Sequence, residues 1–141
     1  MQLTVYTANE MQALGEKVAA TLKGGELFEL IGDVGAGKTT FTKGIAKGLG
    51  VTETVQSPSF TIFARYDTKN ELEFHHYDFY RLTDPGLVAY DLNESLNNKK
   101  AIVVVEWADH VKDILPDQHI SVRITSMSEE GRQVVIKGAK L

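Results

Sequence analysis

The sequence predicts an α/β fold in one domain, 1–141, with a largely parallel central sheet, helices on its faces and an antiparallel hairpin insert. Three observations carry this. A short, largely apolar run at Leu27 to Ile31 is consistent with a buried strand, and the wholly apolar run Ala101 to Val105 has the composition of a strand covered on both faces. Apolar residues recur at helical spacing before and after the first run. A complete glycine-rich loop, Gly32 to Thr39, joins that run to the second periodic stretch.

The elements follow in order. Thr7-Ala8-Asn9-Glu10 reads as a helix start, with Thr7 as cap and Glu10 at the capping-box position. Met11, Leu14, Val18 and Leu22 continue that helix, and Lys23-Gly24-Gly25 is expected to end it. After the first strand and the loop, Phe41, Ile45 and Leu49 mark one face of a second helix that opens at Lys38 and stops at Gly50. Phe60, Ile62, Ala64 and Tyr66 alternate with more polar neighbours, as do Leu72, Phe74, His76 and Asp78 beyond a polar turn. These predict a hairpin over 60–78. Asp84-Pro85-Gly86 is a break, and Leu87 to Leu96 is expected to contain helical turns. Ala101 to Val105, ending at Glu106-Trp107, reads as a central strand, and alternation around Ile120, Val122, Ile124, Val134 and Ile136 predicts closing strands.

Composition narrows the chemistry. With 141 residues, 43% hydrophobic and 24% charged, the chain can bury a core. It has no cysteine, which excludes disulfides, thiolate metal sites and thiol nucleophiles. Its 15 basic and 19 acidic side chains give a net charge of -4, so free nucleic acid is not an obvious direct partner. Met1-Gln2-Leu3-Thr4-Val5 lacks the pattern of a signal peptide, and no apolar run has the length of a membrane span. The expectation is a soluble cytoplasmic protein with no membrane association. Neither a monomer nor a dimer is favoured.

The pattern G-x-x-x-x-G-K-T is complete at Gly32-Asp33-Val34-Gly35-Ala36-Gly37-Lys38-Thr39. Glycines let the backbone curl so that successive amides face phosphate oxygens. The following helix offers its N-terminus to the same anion. Lys38 supplies a full charge to the terminal phosphates, and the Thr39 hydroxyl can ligate Mg²⁺. A chance match in a chain of this length occurs on the order of a few times per thousand. Strand before and helix after make a P-loop NTPase-like site the reading, with ATP and Mg²⁺ as cofactors. No Asn-Lys-x-Asp segment is present to read guanine.

In P-loop proteins a carboxylate at the end of a neighbouring apolar strand serves the metal, and Val103-Val104-Val105-Glu106 has that form. Glu106 in place of the commoner aspartate leaves room for a second duty, orienting water. His76, Asp78 and Tyr80 share a face if the hairpin strand continues, where they could meet the γ-phosphate or its water. A hydrogen-bonded polar cluster at a sheet edge fits the same spacing equally well. The loop alone is compatible with an ATPase, with a small-molecule kinase, and with a nucleotide-dependent binding module of little turnover. No arginine-rich lid stretch of the kind usual in such kinases is evident.

Four segments together resemble one bacterial family. They are Gly32 to Phe41, Ser57-Pro58-Ser59-Phe60, His76-Tyr77-Asp78-Phe79-Tyr80-Arg81-Leu82 and Val105-Glu106-Trp107. They look like the phosphate loop, the Ser-Pro-Thr-Phe segment, the His-x-Asp-x-Tyr-Arg block and the Glu-Trp strand end of TsaE (formerly YjeE). The combination is far more specific than the loop and runs in the right order over nearly the whole chain. The resemblance implies a compact P-loop ATPase that acts beside two partners, TsaB and TsaD. That pathway places threonylcarbamoyl on adenosine 37 of tRNAs reading codons that begin with A. TsaE is expected to support turnover of the partner complex and to meet tRNA through it, not to make the bond itself. Carried over, Asp33, Val34, Gly35, Ala36, Gly37, Lys38, Thr39 and Thr40 bind phosphates, and Thr39 and Glu106 hold Mg²⁺. Trp107 lies beside the nucleotide, Thr7 and Arg132 align with nucleotide-contacting positions, and Asp78 falls in a segment important for hydrolysis. Ser59 replaces the commoner threonine, and Gly86-Leu87-Val88-Ala89-Tyr90 stands where the family often has a glutamate-rich stretch.

Overall fold

The computed structural model describes residues 1–33, 35–55, 63–82, 86–127 and 131–139. Val34, the Ser57-Pro58-Ser59-Phe60 segment, Ile62 and Asp84-Pro85 lie outside the described residues. The strands are β1 (Gln2–Val5), β2 (Leu27–Ile31), β3 (Phe63–Asp67), β4 (Glu73–Asp78), β5 (Ala101–Glu106), β6 (Ile120–Ser126) and β7 (Arg132–Lys137). The helices are α1 (Ala8–Ala19), α2 (Lys38–Gly48) and α3 (Gly86–Leu96), with a 3-10 segment over Ala108–Ile114.

The strands form a seven-stranded sheet in the order β1-β7-β6-β2-β5-β4-β3. Its centre, β6-β2-β5-β4, is parallel, and β1, β7 and β3 join antiparallel. The predicted hairpin is β3-β4, and it is continuous with the main sheet because β4 pairs in parallel with β5.

β5 shows why the sheet is central. All six of its residues are buried, and they alternate between two cores. Ile102 and Val104 pack with Met11, Leu14 and Val18 of α1 and with Phe41 and Ile45 of α2. Ala101, Val103 and Val105 pack with Leu92 of α3 and with Ala108 and Val111 of the 3-10 segment. Full burial of each large aliphatic or aromatic side chain stabilises the fold by about 1.5–3 kcal/mol. A continuous apolar run is therefore the signature of a strand with helices on both faces. The described residues contain no helix long and apolar enough to cross a membrane.

The helix ends follow from local chemistry. The Thr7 hydroxyl accepts from the Glu10 amide at 3.0 Å, and the Glu10 carboxylate accepts from the Tyr6 amide at 3.0 Å. α2 closes in a Schellman turn, with the Gly50 amide on the Lys47 carbonyl and the Val51 amide on the Ala46 carbonyl, each at 3.0 Å. Gly50 takes φ 81°, which a side chain would resist. α1 ends earlier than expected, at Ala19 instead of at Lys23-Gly24-Gly25. The Thr21 hydroxyl caps the Val18 carbonyl at 2.7 Å, and the glycine pair serves the turn into β2 instead. β1 and the 3-10 segment have no counterpart among the expected elements.

α1 and α2 lie against each other through glycines. A Cβ on Gly44 would run into the Gln12 carbonyl of α1, and one on Gly15 would run into the Phe41 carbonyl of α2. Helix backbones this close hold α2, and so the loop that precedes it, in a fixed place over the sheet. Gly44→Ala should therefore lower the unfolding free energy by about 1–3 kcal/mol, as overpacking does, despite alanine's better helix propensity. Urea denaturation followed by circular dichroism checks this; a variant as stable as the parent would contradict the close approach.

Candidate functional site

The glycine-rich loop leaves β2 and enters α2 by a path only small residues allow. A Cβ on Gly32 would meet the Ile124 carbonyl of β6 at 2.6 Å. Gly35 and Gly37 take φ 81° and 113°. Gly37 occupies the N-cap of α2, where no side chain caps the helix. The first-turn amides of a helix lack intrahelical partners, so this end is suited to an anion.

Lys38 opens α2 and is 6% exposed. Its ammonium donates to the Gly32 carbonyl at 2.5 Å and lies 3.7 Å from the centroid of the Trp107 ring. Burial pushes its pKa below the ordinary lysine value, while the carboxylates of Glu106, Asp78 and Asp33 act in the opposite sense. Trp107 reaches this position because the chain turns sharply after β5, with Trp107 at φ 57° and ψ 53°. A left-handed conformation in a bulky residue costs of order 1–3 kcal/mol. Tyr80 packs against the indole, 4.8 Å between ring centroids and tilted by 54°.

The sheet register sets Glu106 beside the loop. Parallel pairing aligns it with Leu30 of β2 on one side and with Asp78 of β4 on the other. Side chains alternate along a strand, so Glu106 shares the face of Ile102 and Val104, the face that α2 covers. It is 2% exposed, and its Oε2 lies 2.6 Å from Nε2 of the fully buried His76. Phe74, His76 and Asp78 share that face, whereas Tyr80 lies beyond the end of β4 and is exposed. The Asp78 carboxylate accepts from the Tyr80 amide at 3.0 Å, which turns the chain after the strand.

Two cavities flank the loop. One, of about 280 Å³, is lined by Asp33, Lys38, Trp107, Lys112, Arg123 and Thr125 among others. The other, of about 190 Å³, lies toward α1 and is lined by Tyr6, Thr7, Gly35, Gly37, Thr40 and Arg132 among others. Sequence-predicted residues far apart in the chain thus meet around one loop. Thr7, Thr40 and Arg132 stand on one side of it, with Asp33, Lys38 and Trp107 on the other. The Thr7 hydroxyl, which accepts from Glu10, keeps its own proton to donate. Val34 lies outside the described residues. Two participants were not assigned from sequence. They are the pairing of His76 with Glu106 and the packing of Tyr80 on Trp107; both lie in the His76 to Leu82 block but gave no signal of their partner.

The donors fit a magnesium-bound nucleotide. Among the described residues no three His, Cys, Asp or Glu side chains gather into a metal cage. A hydroxyl at Thr39 and carboxylates at Glu106 and Asp78 are hard oxygen donors, and Mg²⁺ characteristically takes only one or two such groups besides phosphates and water.

Comparison with known proteins gives a family. The model described as "Threonylcarbamoyl adenosine biosynthesis protein TsaE" matches residues 5–134. The tRNA threonylcarbamoyladenosine biosynthesis protein TsaE of Bacillus subtilis is 38% identical over 94% of this chain and 84% of its own. Its namesake from Nostoc is 36% identical over 87% of this chain and 76% of its own. The crystal structure of Bacillus subtilis YdiB superposes with a TM-score of 0.80 at 32% identity, covering 99% of this chain and 86% of that one.

The lowered pKa of Lys38 has a consequence for stability. The unfolded chain holds this proton more tightly than the fold does, so the charge works against folding below the folded-state pKa. That penalty is relieved as pH rises through it toward 10.5. Relative to Lys38→Met, the parent without nucleotide should therefore gain Tm as pH rises from 7 toward 10. Thermal scans across this range check it; a Tm difference that stays constant with pH or moves in the variant's favour would contradict the assignment.

Proposed function

The chain belongs to the TsaE family, and from that premise we propose that it is the Mg²⁺-dependent, ATP-binding and ATP-hydrolysing subunit of tRNA threonylcarbamoyladenosine biosynthesis. It acts with the TsaB–TsaD pair in modifying adenosine 37 of tRNAs that read codons beginning with A. The relatives' names support the pathway. The observation that carries the ATPase reading is the register of Leu30 with Glu106, a buried carboxylate one strand away from the loop that bears Lys38.

In this reading the loop amides and the N-terminus of α2 receive the phosphates, and Lys38 leaves the Gly32 carbonyl to meet the terminal ones. Thr39 and Glu106 hold Mg²⁺, which supplies charge neutralisation across the phosphates. Asp33 to Thr40 line the phosphates, and Thr7 and Arg132 hold the nucleoside end in the smaller cavity. Trp107 covers the phosphate side. Asp78 or Glu106 orients the attacking water; both are within the electrostatic reach of Lys38. A net charge of -4 gives the chain little of its own to offer an RNA backbone, so tRNA is met through the partners, in the cytoplasm.

Lys38→Ala should abolish phosphate release, and the parent should release phosphate from ATP with no acceptor added. Wild-type turnover in the variant would overturn the ATPase assignment, and acceptor-dependent turnover in the parent would favour a kinase. Immobilised protein should retain purified TsaB and TsaD in a nucleotide-dependent manner when ATP, ADP and no nucleotide are compared. No retention in any of the three would remove the partnership.

A further inference from the structure

We propose that His76 is the positioning residue of Glu106, fixing the carboxylate so that its second oxygen is presented to the metal of the nucleotide site. This rests on the Mg²⁺-ATP reading above and assigns a task that neither residue type nor spacing gives.

Three observations support it. His76 is fully buried and its Nε2 lies 2.6 Å from Glu106 Oε2. A carboxylate can only accept, so Nε2 carries the proton and donates it. Among the described residues the Glu106 side chain hydrogen-bonds to His76, which occupies one of its two oxygens. The other ring nitrogen, Nδ1, is buried with no hydrogen-bond partner among the described residues. An unpartnered ring nitrogen is a cost that folding alone would remove, because a buried polar atom without a partner gives up its hydration for nothing. On the side of His76 away from Asp78 and Glu106, the neighbours on this face, Phe74, Ile102 and Val104, are apolar, and an apolar residue at position 76 would suit their packing. The imidazole is thus held at a net local expense, and its one hydrogen bond among the described residues is with the carboxylate beside the loop.

The geometry explains how one bond orients both oxygens. β4 and β5 are adjacent and parallel, with His76 level with Val104 and Asp78 level with Glu106. His76 therefore reaches Glu106 diagonally, two residues along the next strand, and pins Oε2 toward the interior of the sheet face. The plane of the carboxylate then fixes where Oε1 points. Metal-binding side chains are commonly held in this way by an outer partner, and losing such a partner weakens metal affinity about 10–100-fold.

Two substitutions separate this role from a merely structural one. Gln places an amide N–H near the Nε2 position, and Asn places one near Nδ1 and falls short of Glu106. Calorimetric binding of a non-hydrolysable ATP analogue, with Mg²⁺ titrated from zero, is the readout. His76→Asn should weaken the Mg²⁺-dependent tightening about 10–100-fold while leaving metal-free nucleotide affinity unchanged, and His76→Gln should recover most of it. Equal Mg²⁺ dependence in parent and His76→Asn would overturn the proposal, as would equal losses in both variants. A parent without any Mg²⁺-dependent binding would instead sink the nucleotide reading on which it rests. Nitrogen NMR of the parent protein needs no variant. It should find a proton on His76 Nε2; a proton on Nδ1 alone would overturn the assignment.

Discussion

The parallel register between β2 and β5 is the constraint on which the site depends. It sets Leu30 level with Glu106, so the strand that feeds the glycine loop and the strand that ends in a carboxylate finish side by side. A one-residue slip would turn Glu106 to the opposite face and bring Val105 toward the loop. The register is secured by what β5 buries. Ile102 and Val104 belong to one core, and Ala101, Val103 and Val105 to the other, so a slip would exchange the partners of every residue in the strand. Hydrophobic packing on both faces of one strand therefore decides where a charged group stands.

Around that point the fold accepts several unfavourable features. Lys38 is buried and its charged form is disfavoured. Trp107 is held at positive φ. Glu106 is almost completely inaccessible, and His76 keeps a ring nitrogen unpartnered among the described residues. Each is costly on its own, and they lie within one contiguous group at the ends of β2, β4 and β5. Local violations of stability rules that cluster in this way are characteristic of functional sites, which is one ground for the site proposed above. Elsewhere the polar groups are better satisfied. His75, for example, bridges Ser95 at 2.8 Å and Glu73 at 2.9 Å, and this hydrogen bond holds the Glu73 pKa below the usual carboxylate value.

Much of this was legible in the sequence because the relevant signals are local. The Thr7 cap, the Gly50 stop and the apolar runs of β2 and β5 each depend on a few adjacent residues, and each stands where the pattern put it. The glycine loop was legible for the same reason. What escaped depended on pairing. β1 is an edge strand of four residues in which only Leu3 and Val5 alternate, too short to register as a strand without β7 beside it. The 3-10 segment is set by the turn at Trp107, whose left-handed backbone no composition rule foretells. Spacing put His76 on a face with Asp78, but only the register of β4 on β5 reveals that it contacts Glu106. Tyr80 was placed on that face as well, and the end of β4 at Asp78 turns it instead onto Trp107.

The central claim is that a metal-bound nucleotide sits between the loop and Glu106. The most direct test follows backbone and indole NMR signals of isotope-labelled protein as substoichiometric Mn²⁺ is added with a non-hydrolysable ATP analogue. Paramagnetic broadening should remove the signals of Lys38, Thr39, Glu106 and the Trp107 indole first, while diamagnetic Mg²⁺ only shifts them. Persistence of those four signals while another region of the protein broadens would contradict the account.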